Sequence, residues 1–469
     1  MFSAFRFSAA VVVILWLQSP PPPSESAVDE VFAAYAKAGT PGCVVGVVRD
    51  SRLIFARGYG FANIEHDVPL SPKSVLDIGS TSKQFTAASI LLLEQQGKLS
   101  VNDDVRKFVP ELPAYGPTVT ILHLLNHTSG IRDYLTLMSV AGVNFDGVTT
   151  DDDALRIITR QKALNFPPGS EHLYSNSGYF LLSVIVKRAS GKSLRQFAQE
   201  QIFAPLDMRE THYHDDHTLI VPRRASAYAP GPEGSFVIDM SGFEQTGDGA
   251  VYTTVEDLAK WDRNFYEPKV GGQALVDGLL RSGVLNDGKT IPYAAGLMNG
   301  THKGLPAVSH GGSWAGYRAE LIRFPKQRFS VICLCNRGDG NPGAKARQVA
   351  DLYLASEMTS AAPAPKPQTP PAAQKPATPP SPALTAADLG RVAGIYYSEE
   401  LDTIARLTIE NGRLSYNGPG GPPRALEPSA RDRFTSGPWQ LEITRSGSGD
   451  VDGFLLHAGR IRGLRFTRR

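Results

Sequence analysis

Cysteine is scarce: the chain of 469 residues has 3. A disulfide-stapled scaffold is therefore excluded, and at least one thiol lacks a partner. Charge of one sign is missing too. Lys+Arg is 48 and Asp+Glu is 46, a net of +2, so no field draws in nucleic acid or an anionic membrane surface. The N-terminal apolar run, Ala9 to Leu17, falls well short of the ~20 residues a membrane span needs, and strong membrane association is not expected. No internal repeat is visible. What is present is 42% hydrophobic and 20% charged residues, a balance that buries a large core and excludes whole-chain disorder. Proline is plentiful and clusters at two places.

The first cluster, Pro20 to Pro23, follows Arg6 and the apolar run. One positive charge before a short apolar segment is the layout of a secretory signal peptide, expected over residues 1–27. An uncleaved short anchor is the alternative. Either places the rest outside the cytoplasm, secreted or periplasmic. The second cluster, over 359–385, is Pro, Ala, Lys and Gln without an apolar period. It cannot bury a core and reads as an extended linker. It divides a body, 28–358, from a tail, 386–469.

In the body, Cys43–Val48 and Leu53–Gly60 flank Arg49-Asp50-Ser51-Arg52 and read as a hairpin. Arg318–Phe324 and Phe329–Cys335 form a second strand pair, and Ala344–Met358 reads as a closing helix. Between them the patterns are helical: Thr81–Gln96, Asp152–Lys162, Ser177–Ser190, Ser193–Phe203 and Thr254–Tyr266. Strands at both ends with helices between predict an α+β fold: an antiparallel sheet flanked by helices, with an inserted helical region. In the tail, Ala405–Ile409 and Arg413–Tyr416 alternate around the tight-turn pair Asn411-Gly412, and short strands continue at Trp439–Ile443 and Gly453–Leu456. A small all-β barrel or sandwich is expected. Its basic residues Arg460, Arg462, Arg465, Arg468 and Arg469 read, by their alternation, as the solvated face of a last strand, with a face toward an anionic cell-wall polymer as the alternative.

Three elements carry chemistry. Ser80-Thr81-Ser82-Lys83 sits where Val75–Ile78 turns into a helix. Residues three apart share a helix face, so the Ser80 hydroxyl and the Lys83 amine can meet. A helix start also aims backbone N–H groups at the nucleophile. The following helix is apolar nearly all round, and a buried amine there is a usable base. Tyr174-Ser175-Asn176 is the second element; its bland reading is a buried tyrosine with an asparagine cap. His310-Gly311-Gly312-Ser313 is the third; paired glycines let a backbone approach a ligand closely, and its bland reading is a plain turn.

In this order the three elements resemble the serine β-lactamase and penicillin-binding-protein superfamily, in its class C β-lactamase-like branch with D-aminopeptidases, D-Ala-D-Ala carboxypeptidases and esterases. The likeness extends over the body, through Leu124–Ile131, Ala204–Met208 and Gly247–Leu258. The tail is similar to the lipocalin-like barrels appended to some members. The resemblance implies a β-lactamase-like fold and a serine hydrolase that needs no cofactor and no metal. Ser80 would be the acylated nucleophile, with Lys83 and Tyr174 sharing the general-base work. Asn176 would bind Lys83 and the substrate carbonyl. The backbone N–H groups of Ser80 and Ser313 would form the oxyanion hole, and His310, Gly311, Gly312 and Ser313 would line the substrate. His310 departs from the β-lactamases of this branch, which carry a permanently charged lysine there, whereas histidine is mostly neutral at pH 7; a histidine at this position is familiar among the peptidase-like and D-aminopeptidase-like members. Efficient β-lactam hydrolysis is therefore not expected. The expected activity is cleavage of peptide, amide or ester bonds in small molecules or peptides, cell-wall-derived ones included. The alternatives are a carboxylesterase with weak β-lactamase activity and a non-catalytic binding protein on the same scaffold.

Other residues compete for attention. His212-Tyr-His214-Asp-Asp216-His217 spells the zinc-binding string of metallo-β-lactamases. That fold needs further ligands later in the chain and an αββα repeat, so the string is set aside. His127 reads as a satisfied loop histidine. Cys333 and Cys335 project to one side of a single strand and cannot easily bond each other, so all three cysteines read as buried thiols.

Overall fold

A computed structural model of the chain describes residues 24–359, 384–419 and 421–469. Apart from their ends, the expected leader (1–27) and linker (359–385) lie outside the described residues. The body is built on a six-stranded antiparallel sheet in the order Met298–His302, Leu305–Trp314, Tyr317–Phe324, Phe329–Cys335, Cys43–Arg49, Arg52–Tyr59. Both ends of the body thus meet in one sheet, as the strand pattern predicts. Asp50 and Ser51 take left-handed backbone (φ 50° and 64°), the geometry of a two-residue hairpin turn.

Cys43–Arg49 and Phe329–Cys335 are central and buried on both faces, which explains their unbroken apolar runs. On one face lie the helices Glu25–Phe32 and Pro342–Leu354, packing Val28, Phe32, Val349 and Leu354 onto Val45, Val47 and Val331. On the other face Val44, Ile332 and Leu334 meet the helical region. At its centre the helix Lys83–Gln95 is buried nearly all round and packs on Asn176–Ser190. The expected helix from Thr81 starts instead as a 3-10 turn, Gly79–Ser82. The segment Ser193–Phe203 splits into an α-helix, Leu194–Ala198, and a π-helical turn, Gln199–Phe203.

The cysteine reading is corrected. Cys43 and Cys335 are bonded as a disulfide across 292 residues, and Cys333 alone is a free, buried thiol. The register places Cys43 directly opposite Cys335 on neighbouring strands. Considering only pairs within one strand misses such a cross-strand partner.

The tail is a closed eight-stranded barrel. Asn411 and Gly412 make its tight turn at φ 50° and 75°. Tyr396, Leu407, Phe434, Phe454, Leu464 and Phe466 fill it, and the rings of Phe454 and Phe466 stack at 4.7 Å. Leu137 and Val140 of the body helix Tyr134–Ala141 join the same apolar cluster. Beside them Arg132 and Glu400, 1% and 6% exposed, pair at 2.6 Å across the joint. Arg132 also donates to the carbonyls of Arg462 and Gly463.

The tail arginines are therefore not one solvated face. Arg462 pairs with Glu171 of the body, and Arg465 pairs with Asp452. Arg468 donates to the carbonyls of Arg391 and Ala393. Arg460 turns toward the body. Alternation along a strand says which residues share a side, but not what that side meets.

Candidate active site

Ser80 lies on the 3-10 turn that follows the short strand Leu76–Asp77. Asp77 Oδ1 accepts from the Gly79 N–H at 2.7 Å and holds that turn. In a 3-10 turn residues three apart eclipse, and Lys83 Nζ lies 3.0 Å from Ser80 Oγ. The same amine donates to Asn176 Oδ1 at 3.0 Å and to the Asp248 carbonyl. These contacts engage all three donors of an ammonium group. Asn176 is the first residue of its helix, and its N–H donates to Asp133 Oδ2 at 2.7 Å.

The Tyr174 ring lies 5.0 Å from Lys83 Nζ and 4.1 Å from the His127 ring. Its hydroxyl is buried and has no hydrogen-bond partner among the described residues. His127 is only partly the satisfied loop residue expected. Its Nδ1 accepts from the Ser175 N–H, while its Nε2 has no partner among the described residues. Burial, with Lys83 nearby, pushes its pKa well below the usual histidine value. It acts as an uncharged wall behind Tyr174.

His310–Ser313 is not a turn. It lies within the strand Leu305–Trp314, paired to Tyr317–Phe324. Its glycines also serve a different approach from the one expected. A Cβ on Gly312 would stand 1.8 Å from the Ile78 carbonyl, and one on Gly79 would stand 2.7 Å from the Ser313 nitrogen. Gly312 and Gly79 let the strand press against the turn that holds Ser80, which brings the Ser313 backbone beside it. Thr81 Oγ1 fastens the contact by donating to the His310 carbonyl.

His310 is buried. Burial first, then the charge of Lys83, lowers its pKa to about 4. As a neutral ring its Nδ1 donates to the Gly311 carbonyl at 2.7 Å, and its Nε2 faces the Tyr293 hydroxyl at 3.0 Å. His310 is thus uncharged at neutral pH.

These groups line one cavity of about 630 Å³ that includes Ser80, Tyr174, Asn176, Asp248, Ser313 and Arg460. Asp248 and Asp77 escaped the sequence reading. Burial raises their pKa values to about 6 and about 7. An aspartate inside the apolar segment Val75–Ile78 was the available signal for Asp77. For Asp248 it was the segment Gly247–Leu258, which carried the resemblance without a role. Arg460 had no signal of its own.

The histidine string does not assemble as one site. His212 Nε2 and His214 Nδ1 lie 3.4 Å apart, and His217 instead faces Glu244 at 2.7 Å. The nearby group of candidate ligands among the described residues is Asp216, His217 and Glu244, without the other two histidines.

The β-lactamase family profile matches residues 28–356. The chain belongs to the β-lactamase family. It is 31% identical over 427 residues to penicillin-binding protein 4* of Bacillus subtilis (strain 168), covering 86% of this chain and 90% of that one. It is 28% identical over 321 residues to the D-aminopeptidase of Gluconobacter oxydans (strain 621H), 68% of this chain and 60% of the relative. The chain thus spans less than two thirds of that peptidase. The octameric penicillin-binding-protein homologue from Pyrococcus abyssi superposes with a TM-score of 0.63 at 23% identity, over 95% of this chain and 99% of that one. That likeness spans barrel as well as body and speaks for the fold. Within this family the chain is a serine hydrolase, in keeping with the Ser80–Lys83 contact.

Proposed function

We propose that the protein cleaves peptide, amide or ester bonds through an acyl-enzyme on Ser80, as a D-aminopeptidase- or D-Ala-D-Ala carboxypeptidase-like hydrolase. The contact of Lys83 Nζ with both Ser80 Oγ and Asn176 Oδ1 carries this reading. Ser80 Oγ attacks the carbonyl carbon and its proton leaves for the base unit. Lys83, with its three donors engaged, supports the developing negative charge on Ser80. Tyr174 shares the base work: in its phenolate form its oxygen takes that proton, and as the phenol it returns the proton to the leaving group. The N–H groups of Ser80 and Ser313 hold the oxyanion. Water then attacks the ester and restores Ser80.

The test is covalent labelling. Wild type should label with a fluorophosphonate, and Ser80→Ala should not while keeping its fold. Stoichiometric labelling of that variant would overturn the assignment. Comparison with a penicillin probe, then with D-amino-acid amides, D-Ala-D-Ala peptides, short-chain esters and a chromogenic cephalosporin, separates peptidase from esterase. The carboxylesterase is the second reading, favoured by the uncharged His310. We also place the protein outside the cytoplasm. The leader-like N-terminus supports this, and so does the Cys43–Cys335 bond, because disulfides persist in oxidising compartments. Recovery of the native protein with Cys43 reduced would argue against it.

A further inference from the structure

Among its walls the site has one from the other domain. Strands Val451–Ala458 and Ile461–Arg468 of the barrel are joined by the two-residue turn Gly459-Arg460. Gly459 takes the left-handed backbone at φ 55°, which lets the turn be this tight. The body grips the turn from both sides. Asn165 Nδ2 donates to the Arg460 carbonyl at 2.9 Å, and Asn165 Oδ1 accepts from the Arg462 N–H at 2.7 Å. With the Arg132 bonds to the Arg462 and Gly463 carbonyls, the hairpin is clamped at the cavity mouth.

The Arg460 side chain projects into the cavity that holds Ser80. Its guanidinium lies over the Tyr174 ring, 4.7 Å from the centroid, and its Nη1 is 3.6 Å from Asp133 Oδ2. That ion pair is loose, and the Asp133 carboxylate is already occupied by the N–H groups of Asn176 and Thr136. Arg460 is 41% exposed. Three facts therefore coincide. His310, where β-lactamases of the branch carry lysine, is neutral; a permanent cation from the barrel borders the same cavity; and among the described residues no carboxylate lies within hydrogen-bond distance of its forked donors.

We propose that Arg460 is the substrate-recognising cation of this site, binding the free carboxylate of a peptide or amide substrate, so that the barrel completes the specificity pocket. This rests on the hydrolase reading above. The tail would then contribute a side chain to the substrate pocket as well as a wall.

The test is binding to the full chain carrying Ser80→Ala, with acetyl-D-Ala-D-Ala and its C-terminal amide as probes, followed by calorimetry. The acid should bind more tightly than the amide by roughly 10- to 100-fold, the worth of a charge-assisted hydrogen bond. Arg460→Gln should abolish that preference while leaving amide binding within about threefold. Arg460→Lys should keep part of it, and Arg460→Glu should invert it, an outcome that loss of folding cannot produce. Equal affinity for acid and amide in the parent, or a preference that survives Arg460→Gln, overturns the proposal. So does a parallel loss of both ligands in Arg460→Gln and Arg460→Lys, which would mean that the arginine only props Tyr174. Failure of the hydrolase reading shows separately, as absence of fluorophosphonate labelling in wild type, and leaves the binding comparison intact.

Discussion

Replacing Glu400 by alanine removes the carboxylate facing a guanidinium that is 1% exposed. Breaking a buried ion pair from one side costs about 3–5 kcal/mol, because the remaining charge is stranded. Arg132 keeps three neutral acceptors, Gln161 Oε1 and the carbonyls of Arg462 and Gly463, so the low end of that range applies. Docking of the barrel should weaken by about 3 kcal/mol, roughly 10²-fold. The Arg462 amide reports this directly, since its N–H crosses the joint to Asn165 Oδ1. Hydrogen exchange at that amide should speed up by about the same factor in Glu400→Ala, while amides inside the barrel, such as those pairing Phe454 with Phe466, stay protected. Arg132→Met should do likewise by stranding Glu400. The double variant Arg132→Met/Glu400→Leu should recover most of the loss, because an apolar pair strands no charge. Unchanged Arg462 exchange in both single variants, or losses that simply add in the double, would refute the reasoning.

Other outcomes are expected. Lys83→Ala and Tyr174→Phe should each slow acylation by at least ~10², and their combination should cost less than the product, because both act on the Ser80 proton; fully multiplicative losses in single-turnover labelling would show independent roles. Asp77 has its pKa raised to about 7 by burial. Its folded value exceeds its unfolded one, so the fold binds the extra proton, and this contribution is present below about pH 4 and lost as pH rises toward about 7. Asp77→Asn keeps an oxygen for the Gly79 N–H, so urea titrations should show its stability relative to wild type growing from pH 4 to pH 8; a flat difference would contradict the buried carboxyl. Activity should survive EDTA; activity lost on chelation and restored by zinc would promote the histidine string.

Much of the site was legible because its parts are local. Ser80 and Lys83 are three residues apart, and any helical turn brings them together. Tyr174 and Asn176 flank a helix start, and the paired glycines before Arg318 announce a close backbone approach. The hairpin turns at Asp50-Ser51 and Asn411-Gly412 follow from residue type alone. Family likeness then ordered these pieces into one pocket, with the sheet drawn from both ends of the body.

What the tertiary structure alone decided depends on register and docking, which have no local signature. Cys43 meets Cys335 only because two strands 292 residues apart pair in that register. Gly312 faces the Ile78 carbonyl because the strand is pressed there. Arg132, Glu400 and Arg460 look like ordinary surface charges in one dimension. They become a buried pair and a pocket wall when the barrel seats on Leu137 and Val140. Such docking is set by the sum of many weak apolar contacts over two surfaces, which no short stretch of sequence encodes.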